Sequence, residues 1–248
     1  MSMASGRESG PAPALTVVIP AFNEAANVEP VVAETLEVLR GTPWLAGFEL
    51  VLVDDGSRDG TGEVMDRLAA AHSEVVVAHH QANRGFGAAL TTGYRRSRGD
   101  AVTFITADGE IGVDQPLRLV REMGDRDLML SGRVRSVGAG RGFLTWGVNW
   151  TSRIILGFWP DDSVGIYVVR GDVLRRIPLH STTGLANLEI LLYCRAHRLN
   201  IAMSGVTEAK PRLSGESKVT NLRTIVKTLW EMLKLRVRTR GEQEEGGR

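Results

Sequence analysis

The sequence predicts an α/β chain, a doubly wound and mostly parallel sheet with helices on both faces. Three observations carry that reading. Short apolar runs recur along the first half, segments with apolar residues at helical spacing separate them, and each run stops at a turn-rich or charged cluster. A strand covered on both faces by crossover helices reads as a continuous apolar run rather than an alternating one, and that is the pattern here.

The elements follow in order. Residues 1–13 are polar and rich in Gly, Ser and Pro, without the apolar core of a secretory signal, and are expected to be a disordered lead-in. Leu15-Thr16-Val17-Val18-Ile19, stopped by Pro20, is the first strand. Val28, Val31, Val32, Leu36 and Leu39 then recur at helical spacing. Glu49 to Val53 is the second strand, ending at Asp54-Asp55-Gly56-Ser57. Val64, Leu68 and Ala71 mark a helix, and Val75-Val76-Val77 a strand. A helix over about Gly87–Ser97, a strand over Ala101–Ile105, a helix near Pro116–Met123 and a strand at Leu128–Leu130 complete the series. From about Gly138 the crossover rhythm stops. A Trp-rich amphipathic region follows, then a strand at Val164–Val169, a helix at Leu185–His197 and a strand at Ile201–Val206. A loop at Lys210–Lys218 leads to a last helix with Leu222, Ile225, Val226, Leu229 and Met232 on one face. The division expected is a folded domain over 14–220, split near 137/138, an amphipathic basic helix over 221–240 and a disordered tail over 241–248.

Composition narrows the function classes. A chain of 248 residues suits one α/β domain with an appendage. A formal net charge of +1 gives no global steering toward nucleic acid, and no nucleic-acid partner is expected. Cys194, the single cysteine, excludes an internal disulfide, suits a reducing cytoplasm and reads as a small core hydrophobe. No run approaches the ~18 apolar residues of a membrane span, so a cytoplasmic location is expected.

In an open α/β sheet, ligands sit at the carboxyl ends of the strands. That rule singles out Pro20–Glu24, Asp54–Ser57, Thr106–Glu110 and Ser131–Arg133. One Asp-Asp-Gly-Ser cluster reads as a turn and helix cap; several polar clusters on one sheet edge read as a site.

Three segments, Val18-Ile19-Pro20-Ala21-Phe22-Asn23-Glu24, Val53 to Thr61 (VDDGSRDGT) and Asn83-Arg84-Gly85-Phe86-Gly87-Ala88-Ala89, resemble family 2 glycosyltransferases of the GT-A fold. The likeness is strongest to the polyprenyl-phosphate (dolichol-phosphate) mannosyl- and glucosyltransferases, whose late signature resembles Arg212-Leu213-Ser214-Gly215-Glu216-Ser217-Lys218. It covers about Leu15–Lys218 and implies a nucleotide-binding half over 14–137 and an acceptor half over 138–220. It assigns a nucleotide-sugar donor to Pro20, Phe22, Glu24, Val53, Asp55, Thr106, Ala107, Asp108, Glu110, Arg133, Arg212 and Lys218. Asp55 would accept from a base N–H or a ribose hydroxyl. Gly85 and Gly87 would allow close backbone approach and open a helix. Guanidinium forks such as Arg212 and Arg133, for whose role Arg135 competes, suit phosphate oxygens, and Lys218 supplies a mobile charge. A dinucleotide fingerprint at Gly85-Phe86-Gly87 is disfavoured because Leu90 takes the third glycine position.

The chain departs from the family at its metal motif. Where Asp-x-Asp is usual, it has Thr106-Ala107-Asp108. Asp108 is the expected Mg²⁺ or Mn²⁺ ligand with Glu110 beside it, and Thr106 keeps an oxygen but loses a charge. The Glu-Val-Pro usual before the late arginine is replaced by Ser204-Gly205-Val206. On the acceptor side the resemblance offers Glu189 and Asp162 as bases for an alcohol acceptor, whereas a phosphate acceptor is already an anion. Glu189 could equally pair with Arg195 or Arg198. Arg223, Lys227, Lys234, Arg236, Arg238 and Arg240 would give the last helix a basic face, suited either to a membrane surface or to solvent. The expected activity is inverting transfer of a hexose from a GDP- or UDP-sugar to a polyprenyl phosphate. A small hydroxylated acceptor and a nucleotide-sugar-binding protein without turnover are the alternatives.

Overall fold

The computed structural model describes residues 14–133, 165–207 and, in a helical stretch near the C-terminus, 230, 231, 233 and 234. The strands are β1 (Leu15–Ala21), β2 (Phe48–Asp54), β3 (Val75–His79), β4 (Ala101–Phe104), β5 (Leu128–Arg133), β6 (Tyr167–Arg170) and β7 (Ile201–Thr207). Between them lie α1 (Ala25–Arg40), α2 (Thr61–Ala71), α3 (Phe86–Arg96), α4 (Asp114–Glu122), a short α5 (Gly171–Leu174) and α6 (Ala186–Ala196).

The strands form one sheet in the order β3-β2-β1-β4-β6-β5-β7. β1 lies near its centre, parallel to β2 on one side and β4 on the other, with β3 parallel to β2 at the edge. The pleat explains why β1 and β2 carry apolar residues on both faces. Val17, Ile19, Leu50 and Leu52 join α1, α2 and α4 in one core, while Val18, Val51 and Val53 join α3 and α6 in a second core on the opposite face. The expected doubly wound α/β architecture is therefore the architecture found.

The change of rhythm after residue 137 has a topological counterpart. The strand expected at Val164–Val169 is β6, which runs antiparallel between β4 and β5, while β7 pairs with β5 in parallel. A buried polar chain fastens this addition to the first half: the Tyr94 and Tyr167 hydroxyls are bonded, and the Tyr167 hydroxyl donates to Asn187 Oδ1 at 3.1 Å. Burial holds the Tyr94 hydroxyl well above the usual tyrosine range. Cys194 sits in the second core with its thiol pushed up to about 12 by burial and the nearby Asp127, so it is an inert core residue as expected. Among the described residues, no helix is long and apolar enough to cross a membrane.

Candidate functional site

Parallel pairing brings the ends of β1, β2 and β4 to one sheet edge, with β1 between the other two. The loops after β1 and β2 are clasped by hydrogen bonds. Asn23 N–H donates to Ser57 Oγ and Glu24 N–H to Thr61 Oγ1, both at 2.9 Å. Arg58 N–H returns a bond to Asn23 Oδ1, and Ala25 N–H donates to Asp59 Oδ2. Asn23 has φ +54°, a left-handed conformation that asparagine tolerates better than most residues. Burial alone would raise the Asp59 pKa, but its hydrogen bonds from Thr61 and Ala25 outweigh that and hold it below the usual range.

The adjacent aspartates after β2 have different partners. Asp54 Oδ1 accepts Ser57 N–H at 2.9 Å, and its Oδ2 faces His79 Nδ1 at 3.3 Å. Asp55, only 3% exposed, turns toward the segment entering α3. Its Oδ1 accepts Arg84 N–H at 2.9 Å and faces His80 Nδ1 at 2.7 Å, and its Oδ2 accepts Gly85 N–H at 2.8 Å. Gly85 has φ +98°, a backbone state open to glycine and strained for other residues.

At the end of β4, the Thr106 hydroxyl donates to Asp108 Oδ1 at 2.5 Å, and the same oxygen accepts Glu110 N–H at 3.1 Å. The Thr106 side chain therefore holds a carboxylate in place. A second aspartate here would set two negative charges against each other. Ala107 is buried, while Phe22, Glu24 and Glu110 are half-buried at the rim.

Opposite the α3 N-terminus lies the loop from Pro178 to Leu185. Gly87 N–H donates to Thr182 O at 3.0 Å, and a Cβ on Gly87 would lie 2.2 Å from Thr183 O. The close approach that this glycine permits is thus to the chain's own loop. Two carboxylates hold that loop. Glu189, 7% exposed, accepts His180 N–H, Ser181 N–H and the Ser181 hydroxyl. Glu231 accepts the Thr182 and Thr183 hydroxyls at 2.7 and 2.6 Å, along with their N–H groups. Burial alone would raise the Glu231 pKa, but these four bonds outweigh it and lower it.

Comparison with known proteins decides what this edge belongs to. The family described as glycosyl transferase family 2 matches residues 16–181, about two thirds of the 248 residues. The chain belongs to glycosyl transferase family 2. A dolichyl-phosphate beta-glucosyltransferase of Trichomonas vaginalis is 33% identical over 40% of this chain and 31% of its own length. An undecaprenyl-phosphate 4-deoxy-4-formamido-L-arabinose transferase of Pseudomonas aeruginosa is 35% identical over 57% of this chain and 40% of its own length. These matches span well under half of those relatives. The glucosyl-3-phosphoglycerate synthase of Mycobacterium tuberculosis, solved with Mn²⁺, UDP and glucosyl-3-phosphoglycerate, shares the fold with a TM-score of 0.60. It is 22% identical to this chain, over 92% of this chain and 80% of the synthase chain. The fold is GT-A.

Within this family 2 chain, Pro20, Phe22, Glu24, Val53, Asp55, Thr106, Ala107, Asp108 and Glu110 come together at one edge. Arg133 ends β5, with its backbone alone described. Asp162, Arg212, Lys218 and the basic and apolar faces assigned to the last helix, apart from Lys234, lie outside the described residues. The Glu189 carboxylate, which the sequence left open between a base and a partner for Arg195 or Arg198, accepts the His180 and Ser181 N–H groups and the Ser181 hydroxyl. The sequence pairs His80 with His79, which make no metal site by themselves, and gives no role to Glu231. His80 follows β3 at the same carboxyl edge, and that placement was its signal. Glu231 lies 48 residues from Thr183, so no local pattern pointed to it.

Proposed function

We propose that the chain is an inverting glycosyltransferase that moves a hexose from a GDP- or UDP-sugar to a polyprenyl phosphate. The observation that carries this reading is the convergence of three motif loops, with Asp55 and Asp108 buried and oriented at one strand edge. The acceptor phosphate oxygen would displace the nucleoside diphosphate at the anomeric carbon in one step, the C–O bond to the donor phosphate breaking as the new one forms. A phosphate acceptor needs no base, so Glu189 is free to serve as a loop clamp and Asp162 is a base only for an alcohol acceptor. Arg133, Arg212 and Lys218 are assigned to the departing phosphates.

Mg²⁺ or Mn²⁺ fits the donor set, since Asp108, Glu110 and the Thr106 hydroxyl offer hard oxygen ligands. Among the described residues, no group of three acidic, histidine or cysteine side chains is arranged to cage an ion. Mg²⁺ is commonly held by one or two carboxylates and completed by substrate phosphates. When bound, the cation supplies neutralisation of charge on the leaving diphosphate. Trp230 and Leu233 are 58% and 46% exposed on the C-terminal helical stretch, and Lys234 Nζ lies 5.3 Å from the Trp230 ring centroid. Exposed aromatic and cationic groups side by side suit peripheral contact with a membrane carrying the acceptor.

Turnover of GDP- and UDP-hexoses with polyprenyl phosphate, with and without Mn²⁺, tests the reading. Arg212→Ala and Lys218→Ala are expected to lower kcat by ~10²-fold while leaving nucleoside monophosphate affinity nearly unchanged. Transfer only to a small hydroxylated acceptor would replace the lipid acceptor. Donor binding without turnover or hydrolysis would favour the binding-only alternative, which Thr106 supports.

A further inference from the structure

We infer that the donor site selects a base presenting a single imide N–H, uracil or thymine, over guanine, and that His80 is the positioning residue that sets this choice. The inference deepens the donor reading above and rests on Asp55 receiving the base.

An ionised carboxylate offers about four acceptor positions, two on each oxygen. In Asp55, Oδ1 is filled twice, by His80 at 2.7 Å and by Arg84 N–H at 2.9 Å. Oδ2 receives one bond, from Gly85 N–H at 2.8 Å. One acceptor position is left, on Oδ2. Uracil and thymine carry one donor on their pairing edge, N3–H between two carbonyls, and need one acceptor. Guanine carries two adjacent donors, N1–H and the exocyclic amino group, which match both oxygens of a carboxylate as a guanidinium fork does. Here the amino group would meet an oxygen whose positions are taken, and would be desolvated without a partner. Cytosine places an acceptor at N3 and would face the carboxylate with like polarity.

This saturation is built into the fold. A carboxylate oxygen facing Nδ1 requires the proton on Nδ1, so His80 donates to Asp55 and its Nε2 lies 2.8 Å from Thr92 Oγ1 on α3. The side chains of His80 and Asp55 are each 4% exposed, and the ring is held at both of its nitrogens. The other two donors are backbone groups at the entry to α3, and the Gly87–Thr182 bond fixes that entry from the other side. Freeing Oδ1 would require moving the helix or replacing His80.

Calorimetric titration of the full chain with UDP, dTDP, GDP and CDP tests this. UDP and dTDP are expected to bind about tenfold or more tightly than GDP, the size that goes with one buried donor left unpaired, and CDP more weakly than UDP. His80→Ala reopens Oδ1 and is expected to shrink the UDP-to-GDP preference toward unity. Thr92→Val, which loosens the ring without removing it, is expected to shrink it less and guards against a His80 variant that does not fold. GDP binding as tightly as UDP in the unaltered chain would overturn the inference while leaving a nucleotide-sugar donor in place. Equal losses for both nucleotides in folded variants would reduce His80 to a structural residue and overturn its assigned role. If none of the four nucleotides binds, the donor reading falls and this inference falls with it.

Discussion

The two sides of the site use carboxylates in contrasting ways. On the proposed donor side, Asp54, Asp55 and Asp108 stand at or just beyond the ends of buried parallel strands and tie loops that leave the same sheet edge. On the opposite side, Glu189 and Glu231 stand on helices and hold one loop, residues 180–183, that does not leave a strand end. The first arrangement inherits its precision from the ladder of β1, β2 and β4. The second depends in part on Glu231, 48 residues downstream of Thr183. On the proposed function, nucleotide binding falls to the rigid half and adjustment to an acceptor to the loop, because groups on a sheet are harder to displace than groups held by side-chain bonds.

The largest effect is expected where the donor side departs from its family. Asp108→Asn should cut turnover by ~10²-fold or more, since it removes the charge assigned to the leaving diphosphate's cation. Thr106→Asp sharpens the comparison. It replaces a hydroxyl that donates at 2.5 Å with a second carboxylate beside Asp108. The expected outcome is a lower Tm in EDTA that Mn²⁺ restores, read by thermal shift. Turnover of the unaltered chain that persists in EDTA would remove the metal from the reading.

A smaller effect is expected on the acceptor side. Glu189→Ala would strand the His180 and Ser181 donors and is expected to cost ~1–3 kcal/mol of stability by denaturant unfolding. Glu189→Gln keeps an acceptor oxygen while abolishing any role as a base. If Glu189 is a clamp, the Gln variant recovers part of the lost stability and most of the turnover. If it is a base, the Gln variant is as inactive as the Ala variant although it folds.

The same contrast decides what could be read from the sequence. Strand runs such as Leu15–Ile19, and the polar clusters that end them, are local patterns, and the parallel-sheet rule places those clusters together from sequence alone. The partners of Asp55 were not legible. An aspartate beside glycine and serine predicts a loop, but whether its oxygens face a ligand or backbone depends on where α3 begins. Gly87 illustrates the difficulty. Its need for close approach was visible, yet the approaching group is Thr183 O, 96 residues away, instead of a phosphate. Strand β6 escaped in direction, though not in place, because antiparallel insertion leaves no mark on an apolar run buried on both faces.

The smallest expected effect separates the two neighbouring aspartates. His79 bridges Asp54, through Nδ1 at 3.3 Å, and Asp66, through Nε2 at 3.0 Å. Partial burial would lower its pKa from the ordinary 6.5, but the hydrogen bonds and charges of Asp66 and Asp54 outweigh burial and raise it. A histidine whose folded pKa is raised stabilises the fold fully below the unfolded value of 6.5, and that contribution fades as pH rises through the folded value. The Tm advantage of the native chain over His79→Gln should thus be greatest below about pH 6 and shrink toward pH 8–9. With 43% of the His79 side chain exposed, solvent screens both ion pairs, so the advantage should be at most a few degrees and should shrink further in high salt. His80 faces Asp55 from full burial and answers to nucleotide choice; His79 faces Asp54 from half exposure and answers to pH. A Tm difference that grows with pH would mean that the ring binds in its neutral form, and would remove the charge from the Asp54 loop's support.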